Sequence, residues 1–244
     1  MGNLDRFTDT DLKWLKIKSK PKSKGFTSEQ KVEIWNRFAQ KTLRQESAFK
    51  RVFNYVFDEQ KKSITDTFEK TGHLPNDLHD EQTAKHFESV IEIVYMSGFD
   101  DALPKQADIL DEHALEWIAT RSLLLAKSIN ATTLEALRKE LQLGFAAGES
   151  IQQLSKRIEG YFTDNAKYRA AMVSRSEVIA ASSEGALYRY DQSGIEKAEW
   201  LTSRDGRVCP ECDPMDGTQF PIREASGRIP LHPQCRCTWL AVLE

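Results

Sequence analysis

VCPECD at residues 208–213 and LHPQCRCTW at residues 231–239 hold all four cysteines of this 244-residue chain. With His232 they form the pattern Cys-x2-Cys-x19-His-x2-Cys-x-Cys, two groups of close-spaced ligands joined by a loop rich in Gly and Pro. Zn²⁺ takes four nitrogen or sulfur ligands in a tetrahedron, and two such groups can clamp it from opposite sides. Pro210 stiffens the first group, while Cys235 and Cys237 share one side of the chain if that segment is extended. Five candidates therefore compete for four places. Cys209, Cys212 and Cys235 are the core of the set, and the fourth ligand is His232 or Cys237. If all four cysteines bind, His232 becomes a supporting hydrogen-bond partner.

Around this motif the texture is that of a small β-structure built on loops. After Gly194 the turn dipeptides Asp205-Gly206, Asp216-Gly217, Ile229-Pro230 and His232-Pro233 follow closely, and the apolar stretches Ala198 to Leu201 and Cys237 to Leu243 suit short strands. So small a piece lacks a hydrophobic core of its own, and a structural metal would supply the missing stability. Asp205 and Arg207 flank the first ligand group and are candidates to pair across its turn, an exposed, solvated pair being the default. Upstream, Arg175 and Glu177 in SRSE are candidates to hydrogen-bond the loops of the metal module.

The rest of the chain reads as helix. Thr27 and Gln30 form a capping box that opens a long amphipathic run from Trp35 to Phe68, halted by Gly72 and Pro75. A second run from Phe87 to Tyr95 fades at Gly98. A third spans Ile109 to Ile129, and Thr132 with Glu135 signals the start of a fourth. Ser150 with Gln153 opens a fifth through Tyr161, and a sixth runs from about Asn165 to Gly194. Before Thr27, an amphipathic piece leads into KIKSKPKSKG, where Lys16, Lys18, Lys20, Lys22 and Lys24 alternate with Ile, Ser and Pro. Like-charge repulsion and Pro21 favour an extended tether; lacking interleaved aromatics it reads first as a solvated arm, with nonspecific contact to DNA phosphates as the alternative. The expected organisation is an N-terminal piece and tether over 1–26, a helical domain over 27–145, and a C-terminal domain over 146–244 with its metal-binding end at about 195–244.

Composition narrows the function classes. Apolar residues make up 40% of the chain and charged residues 29%, with a net charge of -3, which fits a soluble protein with a sizeable core and argues against whole-chain binding to nucleic acid. No run reaches the roughly 18 apolar residues a membrane helix needs, and the N-terminus lacks a signal-peptide pattern. Without a secretion signal, thiols and metal are expected rather than two disulfides, in a reducing cytoplasm. A zinc deaminase would pair His-x-Glu with Pro-Cys-x-x-Cys; His86 and Glu88 supply the first half, but Val208 stands before Cys209. Four protein ligands also leave no open position for a water. No catalytic residue is expected. The rival readings are a zinc-containing DNA-binding protein and, further off, a metal-dependent nuclease or deaminase. His73, His79 and His113 have no partner at ligand spacing.

The stretches RAAMVSRSEVIAASSEGAL, EWLTSRDGRVCPECDPMDGTQF and IPLHPQCRCTWLAVL follow one another between Tyr168 and Val242. In that order they resemble the phage Mu protein F-like head morphogenesis domain of minor head proteins in tailed bacteriophages. SRSE stands where the family more often has Ala-Arg-Thr-Glu, and a single Pro230 where a pair is common. The resemblance implies a minor capsid protein that binds the portal protein and takes part in procapsid assembly and DNA packaging or ejection. Capsid shell or scaffolding proteins are further implied partners, and no membrane is. Such a protein is assembled in the host cytoplasm and resides in the virion, inside the capsid near the portal. Some relatives carry toxin domains after this module; here no appended enzyme is expected. The fold class expected is mostly α, with long amphipathic helices and a small zinc-stabilised α+β C-terminal unit.

Overall fold

The computed structural model describes residues 25–102 and 111–243. The lysine tether, with Lys16, Lys18, Lys20, Lys22 and Lys24, lies outside the described residues, as do Ile109 and Leu110. Four long helices come first: α1 (Ser28–Thr71), α2 (Asp80–Ala102), α3 (Glu112–Ala146) and α4 (Ile151–Gln192). They are followed by β1 (Lys197–Leu201), a 3-10 turn (Asp213–Met215), β2 (Gln219–Pro221), the short α5 (Ile222–Ala225) and β3 (Thr238–Ala241). The protein is mostly helical with one small sheet.

Two of the expected helix starts carry the capping geometry. The Thr27 N–H donates to Gln30 Oε1 at 2.8 Å and the Gln30 N–H to Thr27 Oγ1 at 3.3 Å. Ser150 and Gln153 repeat the exchange at 2.8 and 3.4 Å, ahead of α4. α1 is a single 44-residue helix that stops at Gly72, whose φ of 70° is the left-handed turn that closes a helix.

Three expected breaks are absent. Thr132 does not cap a helix, because its hydroxyl donates to the Ser128 carbonyl one turn back at 2.7 Å and α3 runs on through it. The expected third and fourth helices are therefore one. The polar stretch near Asn165 likewise sits inside α4, with Asn165 Nδ2 donating to the Tyr161 carbonyl at 2.8 Å. A fading apolar pattern is not a helix stop when no Pro interrupts the backbone.

Gly98 is the third case. It lies within α2 because α4 approaches too closely there for a side chain: a Cβ at Gly98 would fall 2.1 Å from the Ser182 carbonyl oxygen. Gly185 mirrors it, with a Cβ falling 2.0 Å from the Tyr95 carbonyl oxygen. Two glycines thus let two helix backbones touch.

The residues divide into two compact units that interleave along the chain. One comprises Ser47–Val90 and Glu112–Ser174, the other the described residues of Met1–Glu46, Ile91–Asp111 and Arg175–Glu244. The first is helical around an aromatic core, with Phe49 stacked on Phe87 at 5.6 Å and Phe57 against Phe162 at 4.6 Å. Inside it Arg169 lies over the Phe57 ring and donates to Tyr161 Oη at 2.7 Å and Thr133 Oγ1 at 2.9 Å.

The second unit contains the sheet, ordered β2-β1-β3 with both pairings antiparallel. The period-two alternation of strands splits its residues between two faces. Ala198, Trp200, Trp239 and Ala241 pack with Ile179 and Leu187 of α4, while Leu201 and Leu240 pack with Trp35 of α1. Trp200 and Trp239 face each other across the β1–β3 pair, edge to face at 5.2 Å. All four residues of β3 are buried. The C-terminal end has no core of its own, as expected, and shares one to which α1 and α4 contribute.

Gly98→Ala and Gly185→Ala should each destabilise the protein by about 1–3 kcal/mol or more, since backbone on the facing helix cannot yield as a side chain would. Gly160, with open space around it, is the control: Gly160→Ala should leave stability unchanged or raise it by about 0.5–1 kcal/mol. Thermal unfolding followed by circular dichroism checks all three. Equal melting temperatures would refute the close-approach account.

Candidate metal centre

The first ligand turn is shaped by its own backbone. The N–H groups of Cys212 and Asp213 donate to the Cys209 carbonyl at 3.1 and 3.0 Å. The Cys212 N–H also lies 3.3 Å from Cys209 Sγ, so the tight turn begins to solvate its own sulfur. In the second group the Cys235 N–H donates to the His232 carbonyl at 3.1 Å, which folds His232 and Cys235 onto one turn. Cys237 then leads directly into β3.

These turns bring the five candidate donors together as two overlapping triads, Cys209–Cys212–His232 and Cys212–Cys235–Cys237, each with ligand atoms within 4.8 Å of one another. His232 Nε2 lies 3.0 Å from Cys209 Sγ and 3.2 Å from Cys212 Sγ, and Cys212 Sγ lies 3.8 Å from Cys235 Sγ. All four cysteines are free thiols. A disulfide needs sulfurs at about 2.05 Å, whereas ligands of one zinc ion with bonds of about 2.3 Å sit roughly 3.8 Å apart. Cys212, Cys235 and Cys237 are buried, and Cys209 is half-buried.

Crowding shows in the acidities. Cys209 is held below the ordinary thiol range: burial pushes it up, but hydrogen bonds from Cys212 and His232 outweigh that. Cys235 is also lowered, chiefly by a hydrogen bond from Cys237, whose own thiol is raised by the same contact and by burial. Cys212 is pushed up to about 12, first by burial and then by Cys209. Sulfurs this close cannot all ionise unless a cation joins them.

Ion pairs fix the ligand loops to each other. Asp205 Oδ2 accepts from Arg207 Nε at 2.8 Å and from Arg236 Nη1, while Arg236 Nη2 donates to the Arg207 carbonyl at 2.6 Å. Arg236, between the two cysteines of CRC, thereby ties the second loop to the first. Sequence reasoning named Asp205 and Arg207 but missed Arg236, although a charge enclosed by two ligands was a usable signal. Asp216 was missed too. It accepts from the Thr202 N–H at 3.0 Å and from Arg204 Nη2 at 2.8 and 2.9 Å, bracing the chain that leaves β1.

The SRSE segment of α4 meets the second loop at Gln234. Ser176 Oγ accepts from the Gln234 N–H at 3.2 Å, holding a residue whose φ of 64° is left-handed. Arg175 forks onto the buried Glu46 of α1 at 3.1 and 3.3 Å, and its Nη1 comes to 3.5 Å from Gln234 Oε1. Glu177 is buried on the same helix. Among the described residues neither His86 nor Glu88 belongs to a donor group; His86 is exposed, its ring edge-on to Tyr55 at 5.2 Å. His79 Nδ1 lies 3.1 Å from Asp77 on the surface.

Asp205 supports a pH prediction. Burial alone would raise its carboxyl, but the Arg207 and Arg236 contacts hold it down to about 2 from the usual 3.8. A depressed carboxylate contributes stability that is complete above about pH 4 and is lost as pH falls through about 2. Asp205→Asn should therefore lower the melting temperature near pH 6, and the gap from the unchanged chain should close between pH 4 and 2. A gap independent of pH would refute the ion-pair role.

Among the described residues no helix is long and apolar enough to cross a membrane. No curated protein and no solved structure matches the chain. A family model described as phage Mu protein F like protein matches residues 135–240. That stretch begins within α3, takes in all of α4 and ends within β3, so it encloses all five candidate donors. The resemblance read from Tyr168 to Val242 is borne out and extends upstream. From residue 135 to residue 240 the chain is similar to the phage Mu protein F-like family.

Proposed function

We propose that this protein is a minor head protein of a tailed bacteriophage that acts by binding, not by turnover. The carrying observation is the family match, which spans α4, the sheet and both ligand turns as one piece. In this reading the protein associates with the portal protein, takes part in procapsid assembly and in DNA packaging or ejection, and resides in the virion. Long helices suit such a role because they offer extended faces to partners while a small core holds one end.

In the same reading the C-terminal module is clipped by a structural Zn²⁺, drawn from Cys209, Cys212, His232, Cys235 and Cys237. The donor chemistry supports it: soft sulfurs and an imidazole at tetrahedral spacing, on turns already held by ion pairs. Four protein donors close the coordination sphere, so the ion fastens loops and leaves no place for a reactive water.

The full chain prepared under reducing conditions should contain about one zinc per molecule. Chelation should lower its melting temperature by several degrees or more, at about 2–4 °C per kcal/mol for a chain of this size. A zinc-free chain with unchanged melting would refute the clip.

The head-protein reading makes a separate prediction. Mass spectrometry of purified particles should find the protein in the virion, and the immobilised full chain should retain the portal protein of the same phage. Absence from the particle together with no portal retention would overturn it.

A further inference from the structure

The proposed clip leaves five donors for four places, and the orientation of one imidazole decides among them. His232 Nδ1 lies 2.8 Å from the Pro233 carbonyl oxygen. A carbonyl cannot donate, so Nδ1 carries a proton, and in the neutral ring Nε2 presents a lone pair. That lone pair is the atom 3.0 Å from Cys209 Sγ and 3.2 Å from Cys212 Sγ. A histidine that merely supported an all-thiolate site would turn an N–H toward the sulfurs. In the neutral ring, with Nδ1 already committed as a donor, Nε2 has no N–H to turn. Metal-binding histidines share the arrangement seen here, with the far nitrogen donating to a carbonyl and the near one presented to the metal.

We infer that the clip holds its ion through three sulfurs and one nitrogen: Cys209, Cys212, Cys235 and His232 Nε2, with Cys237 outside the coordination sphere. An ion bridging the Cys209 and Cys212 sulfurs meets the Nε2 lone pair, which takes the third place. One place then remains for Cys235 or Cys237. Cys235 Sγ is already 3.8 Å from Cys212 Sγ, the edge expected of a tetrahedron with bonds of about 2.3 Å. It also rides on the same tight turn as His232. Cys235 and Cys237 both belong to the triad without His232, but only Cys235 shares the His232 turn, whereas Cys237 directly precedes β3. This assignment rests on the zinc-clip reading and deepens it.

Zinc K-edge absorption spectroscopy on the unaltered full chain tests both and separates them. The expected spectrum fits three sulfurs and one imidazole nitrogen, with the ring's multiple scattering visible. Four sulfurs and no imidazole scattering would overturn the ligand assignment while keeping the clip. A chain without stoichiometric zinc would overturn the clip, and the assignment with it. As a second measurement, Cys237→Ala should keep one zinc per chain and the same imidazole signature. Loss of zinc from that variant, with its helical circular dichroism intact, would likewise overturn the assignment.

Discussion

The three-stranded sheet must be covered on both faces, and much of the second compact unit follows from that requirement. A sheet of strands this short has no interior, so every apolar residue on it needs a helix to lie against. Trp200 and Trp239 turn toward α4, while Leu201 and Leu240 turn toward Trp35 of α1. Burying a single tryptophan removes roughly 200 Å² from water, about 5 kcal/mol at 25 cal/mol per Å² and an upper figure. A surface ion pair contributes about 1 kcal/mol at most. Apolar packing therefore decides where the sheet sits, and the ion pairs refine what hangs from it.

What hangs from it is the ligand cluster. The two loops that carry the donors leave β1 and enter β3, adjacent antiparallel strands, so correct register of Trp200 with Trp239 already brings the loops close. Arg236, Asp205 and Arg207 then lock one loop to the other, and α4 holds Gln234 through Ser176. The donors converge through chain geometry, and sulfurs this close cannot all ionise together unless a cation joins them. Glu46 gives α1 a second hold on this region through Arg175, besides the Trp35 indole N–H donating to the Arg236 carbonyl at 3.1 Å. The N-terminal end of α1 thus belongs physically with the candidate donor loops, although more than a hundred residues separate them in sequence.

Local chemistry was legible in the sequence wherever a short segment settles its own conformation. The capping boxes at Thr27 and Ser150, the stop at Gly72, the strands either side of the ligand loops and each of the two donor groups taken singly depend on residues within a few positions of one another. The family signature from Tyr168 to Val242 belongs to the same class of information. Thr132 and Asn165 misled because their side chains can either cap a helix or bond back within one, and their neighbours carry no Pro to decide the choice.

Tertiary structure alone decided the long-range matters. Gly98 reads as a helix end until the α4 backbone is placed against it, since nothing near it in sequence reveals that Ser182 occupies the space of its missing side chain. The interleaving of the two compact units, the shared core of sheet and α1, and the link from Arg236 to Asp205 each join residues far apart along the chain. Spacing proposed His232 and Cys237 as equals for the last ligand position. Only the fold turned one ring nitrogen to a carbonyl and the other to two sulfurs, because a side chain's direction depends on the backbone around it and not on its place in a motif.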